Sequence, residues 1–354
     1  MKRAALTLIG LGLGFGLGLG AAHADVWRHA IDQGSPDTMQ DIYDSEMKSG
    51  DELTLQATSA GVSPANVRQL VQHAVTSYRN AAAAKPDRAE PYYKLGRVLY
   101  SFYFEPCNER QVYMQHPSPL CPRDPKSFDA IHGKEIVEAW DVFESLAPLD
   151  PRVSVDRETG SAVAFNLLFH RAVLETQLAG PDNLTAAVKD YEKILARSDV
   201  PDETVESNLA EAYMMLGRLD DAIDTYRQAL RTNRNTETMY GLAVALDRDE
   251  RTDQAHDVIS AQGEQAMAEF HRRVAEHITF FVPEGEEAYY FALAYEAFGM
   301  TDSAIEHWKK FLVSKAAAVH PQFKQRAREH LDPLLHDRTR KTLHLETPWR
   351  DFIR

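Results

Sequence analysis

Cys107 and Cys121 are the only thiols in a chain of 354 residues. In an oxidising compartment an isolated pair reads as a disulfide. The two flank a turn-rich stretch with Pro117 and Pro119 inside it and Pro122 just outside. Closing a loop of about 15 residues contributes roughly 3 kcal/mol in the chain-entropy model. A metal or redox pair would need C-x-x-C or C-x-x-C-H spacing, and neither is present. The 14 histidines raise a metal reading. His132 and Glu135 stand one helical turn apart, but His271 and His277 are six apart and fall on opposite sides of a helix. There is no H-E-x-x-H. Asp247-x-Asp249-x-Arg251-x-Asp253 resembles the start of a calcium loop but lacks the glycine at its sixth place and the glutamate at its twelfth. No G-x-S-x-G occurs, and a carboxylate pair such as Glu203 and Glu206 is unremarkable in an acid-rich chain. These residues point to no enzyme, no cofactor and no metal.

The elements that position them begin with a leader. Lys2 and Arg3 precede an uncharged run from Ala4 to Ala22, and Ala22-His23-Ala24 is a small-x-small cleavage site. This is the layout of a secretory signal peptide cleaved after Ala24. No cysteine follows the cut, which argues against lipid anchoring. An uncleaved anchor is the alternative, because about 19 uncharged residues fall just inside the spanning range. Glycine at every second position makes that stretch a poor helix. Cleavage removes two cations and takes the net charge from −14 to −16. So acidic a chain repels phosphate backbones, which excludes nucleic acid as the expected partner. No second long apolar run follows, so no membrane span is expected after cleavage. The expected location is the periplasm or outside the cell.

Asn208 to Leu230 holds a Leu209-Ala210 pair, Gly217 at a turn, then Ala222 and Tyr226 four residues apart. The order recurs. Leu242-Ala243 precede Ala255 and Ile259, with Glu250 replacing the turn glycine. Phe291-Ala292, Tyr295, Gly299, Ala304 and Trp308 repeat it again. Upstream, Ala74, Tyr78, Ala81 and Pro86 fit a second helix, Leu95-Gly96 and Leu99 a first, and Ala139 and Phe143 its late partner. Ala187 and Tyr191 mark one more second helix. A small residue lets two helices approach, and an aromatic one turn on fills the space beside it. The recurrence resembles the tetratricopeptide repeat (TPR), a helix–turn–helix unit that cannot bury its apolar face alone.

The resemblance runs from about Val67 to Leu312 over five or six units. It implies an all-α fold, a right-handed superhelical TPR α-solenoid of antiparallel helix pairs carrying an inserted disulfide loop. The expected divisions are a signal peptide at 1–24, a helical preamble at 25–66 and a solenoid at 67–320 with an insertion at 103–131. A closing helix at 321–335 and a basic tail at 336–354, docked or disordered, follow. Ser63-Pro64 is a helix-start signal. Residues 264–282, with Met267, Phe270, Val274 and Ile278, read as one extra amphipathic helix.

In this family the first helices line a concave groove. Carried over by register, the groove positions are Tyr93, Arg97 and Tyr100, then Ser207, Glu211 and Met214, then Tyr240, Val244 and Asp247, and last Tyr289, Leu293 and Glu296. Aromatic and methionine side chains there suit a peptide or a partner helix. Some family members grip a chaperone's terminal carboxylates with Lys and Asn at such positions. Here only Arg97 brings a matching charge, so that clamp is not expected. Such grooves are wide and wet, a poor setting for shifted pKa values. The resemblance thus implies an exported scaffold or adaptor for a protein or peptide partner. A structural subunit of an envelope assembly is a second reading. A glycan-acting or hydrolytic enzyme using 103–131 is a third.

Overall fold

The computed structural model describes residues 36–108, 118–121, 128–150, 163–196, 202–276 and 283–346, and all regular structure among them is helical. The helices come in pairs. They are α1 (Pro36–Ala57) and α2 (Pro64–Ala84), then α3 (Glu90–Tyr103) and α5 (Ala130–Leu146), with the short α4 (Glu105–Asn108) between them. Next are α6 (Val163–Leu178) with α7 (Pro181–Leu195), α8 (Glu203–Met215) with α9 (Leu219–Thr232), and α10 (Thr236–Arg248) with α11 (Thr252–Ser260). After α12 (Gly263–Ala275) come α13 (Glu287–Ala297) with α14 (Thr301–Leu312), then α15 (Lys315–Val319) and α16 (Pro321–Glu346). Each second helix touches its own first helix and the first helix of the next pair, so the pairs stack as a TPR solenoid.

Local chemistry sets the boundaries. The Ser63 hydroxyl accepts from the Asn66 amide at 3.3 Å, with Pro64 at the first turn of α2. Asp202 accepts from the amides of Thr204 and Val205 at the start of α8. Gly217 and Gly299 end first helices with φ of 76° and 69°. Glu250 holds the equivalent place in the α10–α11 turn at φ 62°, a conformation that favours glycine.

Packing follows the small-plus-aromatic pattern. Ala222 and Tyr226 are buried on α9, as are Ala304 and Trp308 on α14. Gly241 lets the Tyr226 ring lie against α10, since a Cβ there would stand 2.6 Å from the ring. Gly96 does the same for Trp140, at 2.2 Å. Two apolar clusters result, one running from Tyr43 to Leu174 and the other from Leu168 to Leu331.

Besides α12, three features lie beyond the repeat pattern. The preamble helix α1 packs along α2, burying Tyr43 and Met47. Cys107 and Cys121 are bonded, and just before Cys121 the Ser118 hydroxyl donates to the Phe102 carbonyl at 2.6 Å and Leu120 is buried. The closing helix does not stop at 335 but continues through Pro333 to Glu346. Leu334 and Leu335 still rest on the core beyond that proline. The leader at 1–24, Ile278 and the end of the tail at 347–354 lie outside the described residues.

Candidate functional site

Three of the expected groove residues meet in one cleft. Tyr93, Arg97 and Tyr100 lie on one face of α3 at i, i+4 and i+7, and the cleft between α3, α5 and α6 adds Ser101, Glu105, Trp140, Asn166 and His170. Tyr100 stacks on His170 at 4.2 Å and leans on Trp140 at 5.7 Å. Tyr93 packs on Phe143 at 5.2 Å, and the Trp140 indole N–H donates to the Tyr93 carbonyl at 3.4 Å. The absent side chain at Gly96 is what lets Trp140 in. Burial first, and the Arg97 charge second, push the His170 imidazole down to about 4, so it is neutral at physiological pH. Tyr100 and Trp140 are buried, at 7% and 2% exposed, and form the floor, while the half-buried Tyr93, Arg97, Asn166 and His170 present a ring, a guanidinium, an amide and a neutral imidazole at the rim. That set suits side-chain and main-chain contacts with a peptide.

Sequence reasoning passed over Trp140, Asn166 and His170. Ala139 and Phe143 mark α5 as a packing helix and hide its tryptophan. The lengthened turn at 179–181 blurs the register that would have placed Asn166 and His170.

Of the other nine expected groove residues, six are inside the protein, and Ser207, Glu211 and Glu296 are half-buried. Met214, Tyr240, Asp247 and Tyr289 are at most 1% exposed, and Val244 and Leu293 are buried with them. This corrects the expectation of an exposed groove along the C-terminal half, and the cause is two helices outside the repeat pattern. Phe270 of α12 stacks on Tyr240 at 4.6 Å. From α16, Arg326 reaches Asp247 at 3.0 Å, and His330 bridges Asp247 at 2.9 Å and Glu296 at 3.0 Å. The Tyr289 hydroxyl donates to Asp247 at 2.6 Å, and Trp308 donates to Glu296 at 3.0 Å. Burial opposes ionisation of Asp247, but bonds from His330 and Tyr289 and the charges of His330 and Arg326 hold its carboxyl well below the ordinary range. Its partners Asp247 and Glu296 raise His330 to about 9 against the effect of burial. The signal available in the sequence was an Arg and a His four residues apart beside Phe323 and Ala327 on the closing helix.

Ser207 and Glu211 also serve structure. Ser207 bonds Glu203 at 3.0 Å and Thr238 at 2.9 Å. Glu211 accepts from Tyr226 at 2.8 Å and Tyr290 at 3.1 Å, tying the α8–α9 pair to α13. Burial, and then the Glu286 charge, raise its carboxyl above the ordinary value.

The residues with metal-like or catalytic spacing have ordinary partners. Asp249 pairs with Arg251 at 2.6 Å, and Asp247 belongs to the network just described. His132 bonds Asp129 at 2.7 Å, while Glu135 pairs with Arg79. Glu203 accepts from Thr238 at 2.7 Å and Glu206 from Thr232 at 3.3 Å. Among the described residues no three His, Cys, Asp or Glu are placed to hold a metal ion, and no helix is long and apolar enough to cross a membrane.

Residues 205–236 match the tetratricopeptide repeat family. The chain thus carries a tetratricopeptide repeat at 205–236, and the small-plus-aromatic contacts of that repeat recur at Ala304 and Trp308. No curated protein matches it in sequence. Among solved structures it is similar to the MamA protein at 15% identity, covering 69% of this chain and 100% of that one, with a TM-score of 0.39. It is similar to YrrB, described as a TPR protein with an unusual peptide-binding site, at 15% identity over 72% of this chain and 97% of that one (TM-score 0.34). PilF of Pseudomonas aeruginosa is similar at 13% identity over 81% and 99%, with a TM-score of 0.37.

Proposed function

We propose that this protein is an exported scaffold that holds a protein or peptide partner in the cleft between α3, α5 and α6. The observation that carries the reading is the convergence of Tyr93, Arg97, Tyr100, Trp140 and His170 on one concave cleft. Over the C-terminal first helices, Phe270 of α12 and Arg326 of α16 cover the same register. The leader sequence and the paired cysteines both suit an oxidising compartment outside the cytoplasm. The scaffold has no catalytic role in this reading, which is supported by the structural partners of His132, Glu203, Glu206 and Asp249.

Partner capture in cells tests it. Tyr93→Ala combined with Arg97→Ala should cut the captured partner at least tenfold while far-UV circular dichroism stays unchanged. Full capture by that double variant would refute the assignment of the cleft. Enrichment of glycan or small molecules in place of protein would favour an enzyme.

A further inference from the structure

A buried charge cluster where α5, α6 and α7 meet plays no part in the cleft. Arg171 of α6 is taken on every side by carboxylates. Its Nε and Nη2 donate to Asp190 at 2.6 and 3.0 Å, its Nη2 also to Glu144 at 2.5 Å, and its Nη1 to Asp141 at 3.0 Å. Lys193 reaches Glu144 at 2.7 Å and Asp190 at 3.4 Å. These two cations are thus committed to three carboxylates. Glu175, one helical turn after Arg171, adds a fourth.

Glu175 is 3% exposed, and its Oε2 has no hydrogen-bond partner among the described residues. A buried carboxyl whose nearby cations are already committed is strongly unfavourable as an anion. The groups that face it do not relieve this. They are Asp141 from α5, Arg171 from its own helix, and Asp190, Lys193 and the Tyr191 phenol from α7. α8 brings the neutral Asn208 to that phenol, and α3 meets α6 on another face, at His170. Burial first, and the Asp190 charge second, raise the Glu175 carboxyl to about 8. Among the described residues no three carboxylates are placed to share a metal ion, so the charge excess is met by a proton.

We propose that Glu175 holds a proton in the folded chain, and that losing it in alkaline solution loosens α6 from α5 and α7. The cluster is then a pH switch built into the stack. Below an ordinary 4.5 the site is protonated in folded and unfolded chains alike, and its contribution is full. Between 4.5 and about 8 only the folded chain keeps the proton, so stability falls as pH rises and levels off above that range. α6 also carries Asn166 and His170, so the switch reaches the cleft wall whether or not a partner binds there.

Hydrogen exchange on the full chain at pH 6 and pH 9, corrected for the intrinsic pH dependence of exchange, tests this. Protection at 163–178 should fall at least tenfold in the wild type, while α2 changes less than twofold. Glu175→Gln mimics the protonated form and should keep the protection of α6 within twofold. Should that variant not fold, Glu175→Met, uncharged and of similar size, takes its place with the same expectation. A fall of the same size in the uncharged variant, or wild-type protection of α6 that is level between the two pH values, would overturn the proposal.

Discussion

The two halves of this solenoid use the same repeat register to opposite ends. In the N-terminal half, the groove positions on α3 carry Tyr93, Arg97 and Tyr100 and line a cleft. In the C-terminal half, the same positions on α10 and α13 carry Tyr240, Asp247, Tyr289 and Glu296, and they are roofed by α12 and α16. Register within a repeat determines which way a side chain points. Elements outside the repeat decide whether it meets solvent, another helix or a partner. A groove position is therefore a candidate for binding only after the non-repeat helices have been placed.

The largest expected contrast comes from deleting one charge in each half. Asp247→Ala leaves Arg326 and His330 facing a buried gap and should destabilise the chain by about 3–5 kcal/mol. Arg97→Ala lies in a partly exposed cleft and should change stability by about 1 kcal/mol or less while weakening partner capture. Urea unfolding of both variants measures this. Similar losses would erase the distinction between the halves.

Reduction probes the N-terminal half alone. Opening the Cys107–Cys121 bond removes a constraint of about 3 kcal/mol on the unfolded chain. Its effect on the native state should stay near α3 and α4, because each pair leans mainly on its neighbours. Hydrogen exchange after reduction should rise there and remain unchanged in α13 and α14.

The pH dependence probes the C-terminal half. Folding raises His330 from an ordinary 6.5 to about 9, in the company of Asp247, Glu296 and Arg326. Its contribution is therefore full below about pH 6.5 and disappears as pH rises through 9. The loss should amount to up to about 3 kcal/mol. Unfolding free energies at pH 6 and 9.5 should differ more in the wild type than in His330→Gln. An identical slope in the two proteins would show that His330 carries no linked proton.

The smallest effect is a gain. Glu250→Gly places glycine at φ 62°, as Gly217 and Gly299 already are in their turns. It should stabilise the chain by about 0.5–1 kcal/mol, read as a higher urea midpoint. A lower midpoint would mean that the Glu250 side chain offsets its backbone strain.

Much of the fold was legible because its determinants are local and repeated. Gly217, Ala222 and Tyr226 recur as Gly299, Ala304 and Trp308, and the structure buries each alanine and aromatic of those sets. The cysteine pair was legible because no other thiol competes. The site was only partly legible. Tyr93, Arg97 and Tyr100 sit at groove positions and meet in a cleft, but Trp140 and His170 come from helices whose register the long connections obscure. Tyr240 and Asp247 misled because their covers, Phe270 and His330, follow 30 and 83 residues later from helices that obey no repeat. Nothing in a repeat's own sequence specifies what packs across it. The closing helix at 321–335 was expected, but its two inward cations identify their acidic partners only once Asp247 and Glu296 are side by side.

The most direct test of the central claim is site-specific photo-crosslinking in cells, with the probe placed at Ser101 in the cleft or at Val313 on the exposed surface of the C-terminal half. The two-halves account predicts a defined protein adduct at Ser101 that disappears with Arg97→Ala, and none at Val313. An adduct at Val313 alone, or one at Ser101 that is indifferent to Arg97, would contradict it.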